Sequence, residues 1–598
     1  MIPQLLGRMG FTALFSIAIC MALTINCMSQ TPDEQLDKSF RAYLDECFEL
    51  RPLEATLLGD HRFDDRLDDI SPEARKRWLE HYRQQLATLE SDTDYDSLQR
   101  SGQIDYEIWR DELKRNIWLA ENTNPFVEDP RVYGNYINDS VYMLLAQSTL
   151  PLEQNVKNAI ARIEQIPRII QTARVSIKAP PRSILETAIA QNKGAIDFYE
   201  KGIYELVGEE SLRASIRKVT PPAIEALKSY QAFLEIDFLL PKSVGEWRIG
   251  KEKFDRKLQL VLDVGLTADE VLRDALVEFD RVQDELYVIA KQLWSRYFPD
   301  RVLPVDNQRG RRETVAAVIS AVSQEHSQPS ALIADARESV TAIQNFISQH
   351  DILRLPKEDR CQVIEMPEFR RGNSLAYLDA ALPLDPDGFS YYAISPPPAQ
   401  WNQKRVTSFL EEYNKHMLQI LTIHEAYPGH YVQLQYSNRS PSLIRRLLQS
   451  GAYVEGWAVY TEQMMLDQGY GDGSLPLRLN QLKFYLRAVG NTILDNRMHC
   501  TQMTDQEALS FLTQEAYQSD GEAHLKIIRA KQSSVQLSTY FAGRMAFYRL
   551  RQKIQLEQGD AFELGRFHEA VLENGSIPVK FLSELVRERL NHPRSPQE

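Results

Sequence analysis

Cysteine is scarce, five in 598 residues. Cys20 and Cys27 fall in the N-terminal apolar stretch, and beyond it only Cys47, Cys361 and Cys500 remain, an odd and sparse set that excludes a disulfide framework. Alternating strand-like runs are few, no fixed-period repeat recurs and no low-complexity tract interrupts the chain, which excludes solenoids and disordered scaffolds. Excess basic charge is lacking as well: 69 Lys and Arg stand against 83 Asp and Glu, a net −14 with both signs interspersed, and this argues against nucleic acid as a partner. Long apolar runs are absent with one exception, GFTALFSIAICMALTI at 10–25, which follows Arg8 and precedes polar NCMSQTPDEQ. That run is short for a spanning helix and has the layout of a secretory signal peptide over residues 1–27; a retained N-terminal anchor is the alternative. Cys27 closes the run and raises lipidation at that cysteine, although Asn26 is not the small residue usual at such a cleavage site. The chain is therefore expected outside the cytoplasm, in the periplasm or cell envelope, where without a disulfide framework its stability must rest on a hydrophobic core.

What is present is helical. With 43% apolar and 25% charged residues the chain reads as globular, and its length implies more than one lobe. Thr31, Pro32 and Glu34 form a capping box before Leu36, Phe40, Tyr43, Leu44 and Phe48 at helical spacing. Further starts stand at Ser71-Pro72, at Thr267 with Glu270, and at Thr504 with Glu507; after Thr267, Leu272, Leu276, Phe279, Leu286 and Leu293 are expected on one buried side. The best strand candidate is GFSYYAI at 388–394, between LPLDPD and SPPP, and an edge strand beside a cleft is one reading of it. The expectation is a predominantly α protein with a leader (1–27), a helical N-terminal lobe (28–300) and a C-terminal lobe (301–598) that holds the chemistry.

That chemistry centres on HEAYPGH at 424–430. In the zinc-peptidase signature H-E-x-x-H the two histidines are four apart and share a helix face, whereas six steps of about 100° leave His430 about 120° away from His424. Pro428 and Gly429 break or bulge a helix, and an excursion of two residues would restore the common face. A chance histidine pair at a helix end is the ordinary alternative. A third ligand is offered by Glu455 in GAYVEGWAVYTEQM, an apolar segment where an unpaired carboxylate is costly; an ion pair with Arg445 or Arg446 is the competing explanation. Two imidazoles and a carboxylate are the ligand set of a hydrolytic zinc site, one zinc per chain, and Glu425 is then the candidate general base.

HEAYPGHYVQ followed by EGWAVYTE resembles the bacterial family of domain of unknown function 885, which looks like a relative of the zinc metallopeptidases with a glutamate third ligand. The similarity extends over RPLEATLLGDHRFDDRLDDISPE (51–73), ILDNRMHCTQMTDQEAL, STYFAGRMAFYRLR and FHEAVLENGSIPVKFL, in order. The resemblance implies a two-lobed, mostly helical metallopeptidase-like fold with a central cleft and a small β element. It assigns metal roles to His424, His430 and Glu455 and the base to Glu425. Where that family commonly carries a second histidine directly after the motif, this chain has Tyr431. Tyr540 and then His499 are the candidates to hold an oxyanion, with Arg544 in the same motifs; each also has an ordinary structural reading. Glu462 is placed to orient a histidine or to lie at the surface, and His416 and His568 read as structural. The leading function is thus a zinc-dependent peptide hydrolase acting on short peptides. A metal-dependent hydrolase of a non-peptide amide or ester, and a non-catalytic binding protein on the same scaffold, are the alternatives.

Overall fold

The computed structural model describes residues 30–241, 245–366, 375–398 and 401–594. The proposed leader and Cys27 lie outside them. The protein is predominantly α with one small sheet. The expected caps are formed: Glu34 N donates to Thr31 Oγ1 (3.2 Å) while Thr31 N donates to Glu34 Oε2 (2.9 Å), opening the Pro32–Leu50 helix, and the same reciprocal pair opens Ala268–Tyr297 at Thr267 and Glu270. Leu36, Phe40, Tyr43, Leu44 and Phe48 are all buried. In Ala268–Tyr297 the buried stripe runs through Val271, Ala275, Phe279, Val282, Leu286 and Leu293, whereas Leu276 is exposed. Leu276 precedes Phe279 by three residues and so lies about 60° off the stripe, on its flank.

The sheet has order β1-β3-β2, with β1 (Cys361–Glu365) parallel and β2 (Ala376–Asp379) antiparallel to β3 (Ser390–Ile394). GFSYYAI therefore holds the central strand, and the expectation of an edge is corrected: Tyr392 pairs with Val363 on one side and Leu378 on the other. The β-branched and aromatic run identified a strand, but an edge is a property of its neighbours.

Three hydrophobic cores hold the described residues together, and two of them include residues from both sides of position 300. One is local to residues 53–234; a second joins residues 254–322 to 452–542; the third packs the first helices on the sheet and the C-terminal helices. Two helices matter most for the site, Gly451–Asp467 and Thr539–Gln558. They cross where Gly456 faces Gly543, and a Cβ at either glycine would overlap the other helix's backbone. That close approach sets Glu455 beside Tyr540. Among the described residues no helix is long and apolar enough to cross a membrane.

Candidate metal centre

The Lys415–Glu425 helix starts at Asn414, whose side chain accepts from the amides of His416 and Met417, and it delivers His424 and Glu425 at its last turn. There it breaks. Ala426 leaves the helical region, the Tyr427–Pro428 bond is cis, and a new helix, His430–Ser437, begins at once. The hydrogen bonds show the size of the interruption: Gly429 N donates to Ile423 O (3.0 Å) and Val432 N to Ala426 O (3.4 Å), each six residues back instead of four. Two residues are looped out, which returns His430 to the face of His424. Gly429 is required for this, since a Cβ there would collide with the carbonyls of Ile423 and His424. Trp457 ties the loop down by donating Nε1–H to Pro428 O at 2.9 Å.

One turn of the helix after Gly451 brings Glu455 to the same point. Its Oε2 stands 3.5 Å from His430 Nε2 and 3.8 Å from His424 Nε2, and the three donor atoms lie within 4.8 Å of one another. Ligand atoms bound tetrahedrally at about 2.1 Å stand about 3.4 Å apart, so these separations fit a small divalent cation, and the donor set fits zinc. Neither arginine competes for Glu455: Arg445 engages Asp105 (2.5 Å) and Arg446 donates to Ser440 O. His424 Nδ1 and Glu462 Oε1 share a hydrogen bond of 2.7 Å, which turns Nε2 toward the triad.

The electrostatics follow from burial and this pairing. Burial, then the charge of His430, pushes His424 down to about 3, so it stays neutral. Burial is the largest influence on both His430 and Glu455 and opposes their charges, but their pairing and the attraction between neighbouring charges together exceed it, holding His430 above and Glu455 below the ordinary value. Burial pushes Glu425 up to about 7, although the Leu378 amide of β2 donates to its carboxylate. Glu425, His424, Glu462 and Tyr540 line a common cleft of about 200 Å³. Tyr540 OH accepts from Arg529 Nη2 at 3.1 Å, and burial followed by the Glu455 charge pushes the phenol up, so it stays protonated beside that carboxylate.

The remaining candidates lie elsewhere. His499 is buried with Nε2 between Ala530 O (2.9 Å) and Ser533 O (2.8 Å), packed on Trp247 and Phe254, and it does not line the cleft. Arg544 lies behind Glu462, bonded to Gln463 and Glu278 and stacked over Tyr485 and Tyr548. His416 pairs with Glu325, and His568 bridges Tyr460 and Ile352 O. What sequence reasoning missed is the opposite wall of the cleft, which carries Arg487, Asn491, Lys526 and Arg529. LKIIRAK at 525–531 reads as an amphipathic helix with solvated cations, yet Leu525 and Ile528 are exposed and Lys526 is buried. No local pattern announces that inversion.

The chain belongs to the family described as bacterial protein of unknown function (DUF885), which matches residues 52–586. A solved structure of a candidate lipoprotein of unknown function from Shewanella oneidensis is similar at 31% identity, TM-score 0.78, over 93% of this chain and 99% of that one. A candidate lipoprotein from Colwellia psychrerythraea shares the fold at 19% identity and TM-score 0.76, over 94% of this chain and 99% of its own. None of the curated proteins matches.

Proposed function

We propose that this protein is a zinc-dependent hydrolase of peptide bonds, exported to the cell envelope and acting on short peptides. The observation that carries this reading is the looped-out Ala426–Gly429 segment, which places two imidazoles and the Glu455 carboxylate around one point with Glu425 beside them. The apolar N-terminal stretch and the two relatives described as candidate lipoproteins support the location.

His424, His430 and Glu455 would hold the metal. Zinc bound there supplies a Lewis acid that polarises a carbonyl and acidifies a water. Glu425, which lines the same cleft beside the ligands, takes the proton of the attacking water and passes it to the leaving amine. Tyr540 donates its hydroxyl proton to the developing oxyanion, and the Arg529 N–H that it accepts fixes the phenol's orientation. Glu462 keeps His424 in one tautomer. The outer edge of β2, whose Leu378 amide points at Glu425, offers a place for an extended backbone to add as a strand.

Metal analysis of the purified protein should find about one zinc per chain, lost in His430→Ala. Glu425→Gln should retain the metal while hydrolysis of a mixed peptide library, read by mass, falls by at least about 10²-fold. A metal-free protein of unchanged stability rejects the site, and unchanged turnover in Glu425→Gln rejects the base.

A further inference from the structure

The helix Asp520–Gln532 carries Lys526 and Arg529 three residues apart, and so on one face, into the cleft that Glu425 also lines. Lys526 is only 5% exposed, yet its ammonium makes no hydrogen bond or ion pair with any described residue. Burial, reinforced by the charges of Arg487 and Arg529, pushes it well below the ordinary lysine value. Arg529 donates to Gln536 Oε1 (2.9 Å) and to Tyr540 OH (3.1 Å), both neutral, and among the described residues no carboxylate lies within ion-pair distance of it.

The nearby acids pair first with other cations. Lys483 holds both oxygens of Glu412, at 2.9 and 3.0 Å. Glu522 stands one turn before Lys526 and feels its charge, but it gives Oε1 to Arg487, and its buried Oε2 makes no hydrogen bond to Lys526 or to any other described residue. Arg487, Lys526 and Arg529 thus line the cleft together, in a chain whose acids outnumber its bases, 83 to 69. The helix also turns Leu525 and Ile528 outward in order to bury Lys526, an inversion that packing alone disfavours.

We propose that Lys526 and Arg529 form a subsite for a carboxylate of the substrate, so that the enzyme cuts close to a free C-terminus. The proposal rests on the hydrolase reading above. Because Arg529 is one hydrogen bond from Tyr540, a carboxylate held there lies within one or two residues of the carbonyl whose oxyanion Tyr540 meets; an extended residue spans about 3.3 Å. Arg487 stays with Glu522 and keeps that acid from neutralising Lys526. The buried side-chain oxygen of Asn491, without a hydrogen-bond partner in the same cleft, is placed to accept from a peptide amide of the bound segment.

The test uses the zinc-loaded full chain and three pentapeptides: one sequence as the free acid and as its C-terminal amide, and the same amide with glutamate in place of the last residue. Cleavage near the C-terminus with kcat/KM for the acid at least about tenfold above the plain amide supports the subsite. Recovery of the rate by the glutamate amide assigns it to carboxylates in general, and failure to recover assigns it to the terminal one. Lys526→Met should collapse the acid-to-amide ratio toward one, chiefly through KM, and Lys526→Arg should retain most of it. Equal rates for acid and amide in the wild type overturn the proposal. So does a Lys526→Met protein that is less stable but discriminates as before, since Lys526 would then serve only to balance Glu522. Should no peptide be cut, calorimetric titration of the acid and the amide into Glu425→Gln decides separately: preference for the acid keeps the subsite while the hydrolase reading fails, and equal binding removes both.

Discussion

Glu462 has no exposed surface, and its Oε1 bonds to His424 Nδ1 while its Oε2 is buried without a hydrogen-bond partner. Burial raises its carboxyl well above the ordinary range, with the Arg544 guanidinium the first group to oppose this. Such an acid is poorly placed as a surface charge and well placed to fix a ligand's tautomer and ring angle. Glu462→Gln should keep the fold and weaken zinc binding by about 10–100-fold in competition with a chelator. An affinity within twofold of wild type would return Glu462 to a purely structural role. Part of this was legible in sequence, because Glu455 and Glu462 are seven apart and share a helical face. The pairing of Glu462 with His424 was not, since it depends on how two helices cross. The same division holds for Tyr540 and His499: both come from family-like motifs, but only Tyr540 reaches the cleft, and what decides is the packing of Trp247 and Phe254 around His499.

At the scale of elements, the break at residues 426–429 converts a spacing that a straight helix forbids into a shared face. The need for an excursion of two residues could be computed from the helical angle alone, because it is local geometry. Gly429→Ala tests whether the backbone path depends on the missing Cβ. The added methyl must displace the carbonyls of Ile423 and His424, and the expected cost is about 3 kcal/mol by urea denaturation, with loss of bound zinc. As a control, Gly521→Ala meets nothing within 4 Å and should change stability by less than about 1 kcal/mol. Equal stability of the two variants would mean that the loop can take another path. The helix caps at Thr31, Thr267 and Thr504 were legible for the same reason as the break, each being a four-residue pattern that satisfies its own amides. The place of GFSYYAI in the sheet was not, because its partners lie 29 residues before Ser390, at Cys361, and beyond the other edge at Asp379 opposite Tyr391.

At the scale of the whole molecule, the first residues after Pro52 clamp the wall of the cleft from behind. Leu384, in the loop between β2 and β3, donates its amide to Leu58 O (2.8 Å), and Asp385 packs on Gly59. His61 joins the two sides: Nδ1 meets Asp64 at 2.8 Å and Nε2 meets Asp385 at 3.1 Å, while Thr149 donates to the same Asp385 oxygen. The hydrogen bond to Asp64 leads in raising His61 to about 9 against burial, with the Asp385 bond adding to it. A histidine raised from 6.5 in the unfolded chain stabilises the fold fully below that pH, and its contribution is lost as pH rises through about 9. The shift corresponds to about 3 kcal/mol before solvent screening, and about 1–2 kcal/mol is the realistic figure for a partly exposed group. Denaturation curves at pH 6 and pH 9.5 should therefore differ by about that amount more in wild type than in His61→Gln, which holds a hydrogen bond but no titrating charge. Because other groups titrate in the same window, only the difference between the two proteins counts. A variant with the same pH slope as wild type would show that the clamp holds β2 and its Leu378 amide through the Leu58 and Leu384 backbone contact, with the His61 charge contributing nothing to the joint.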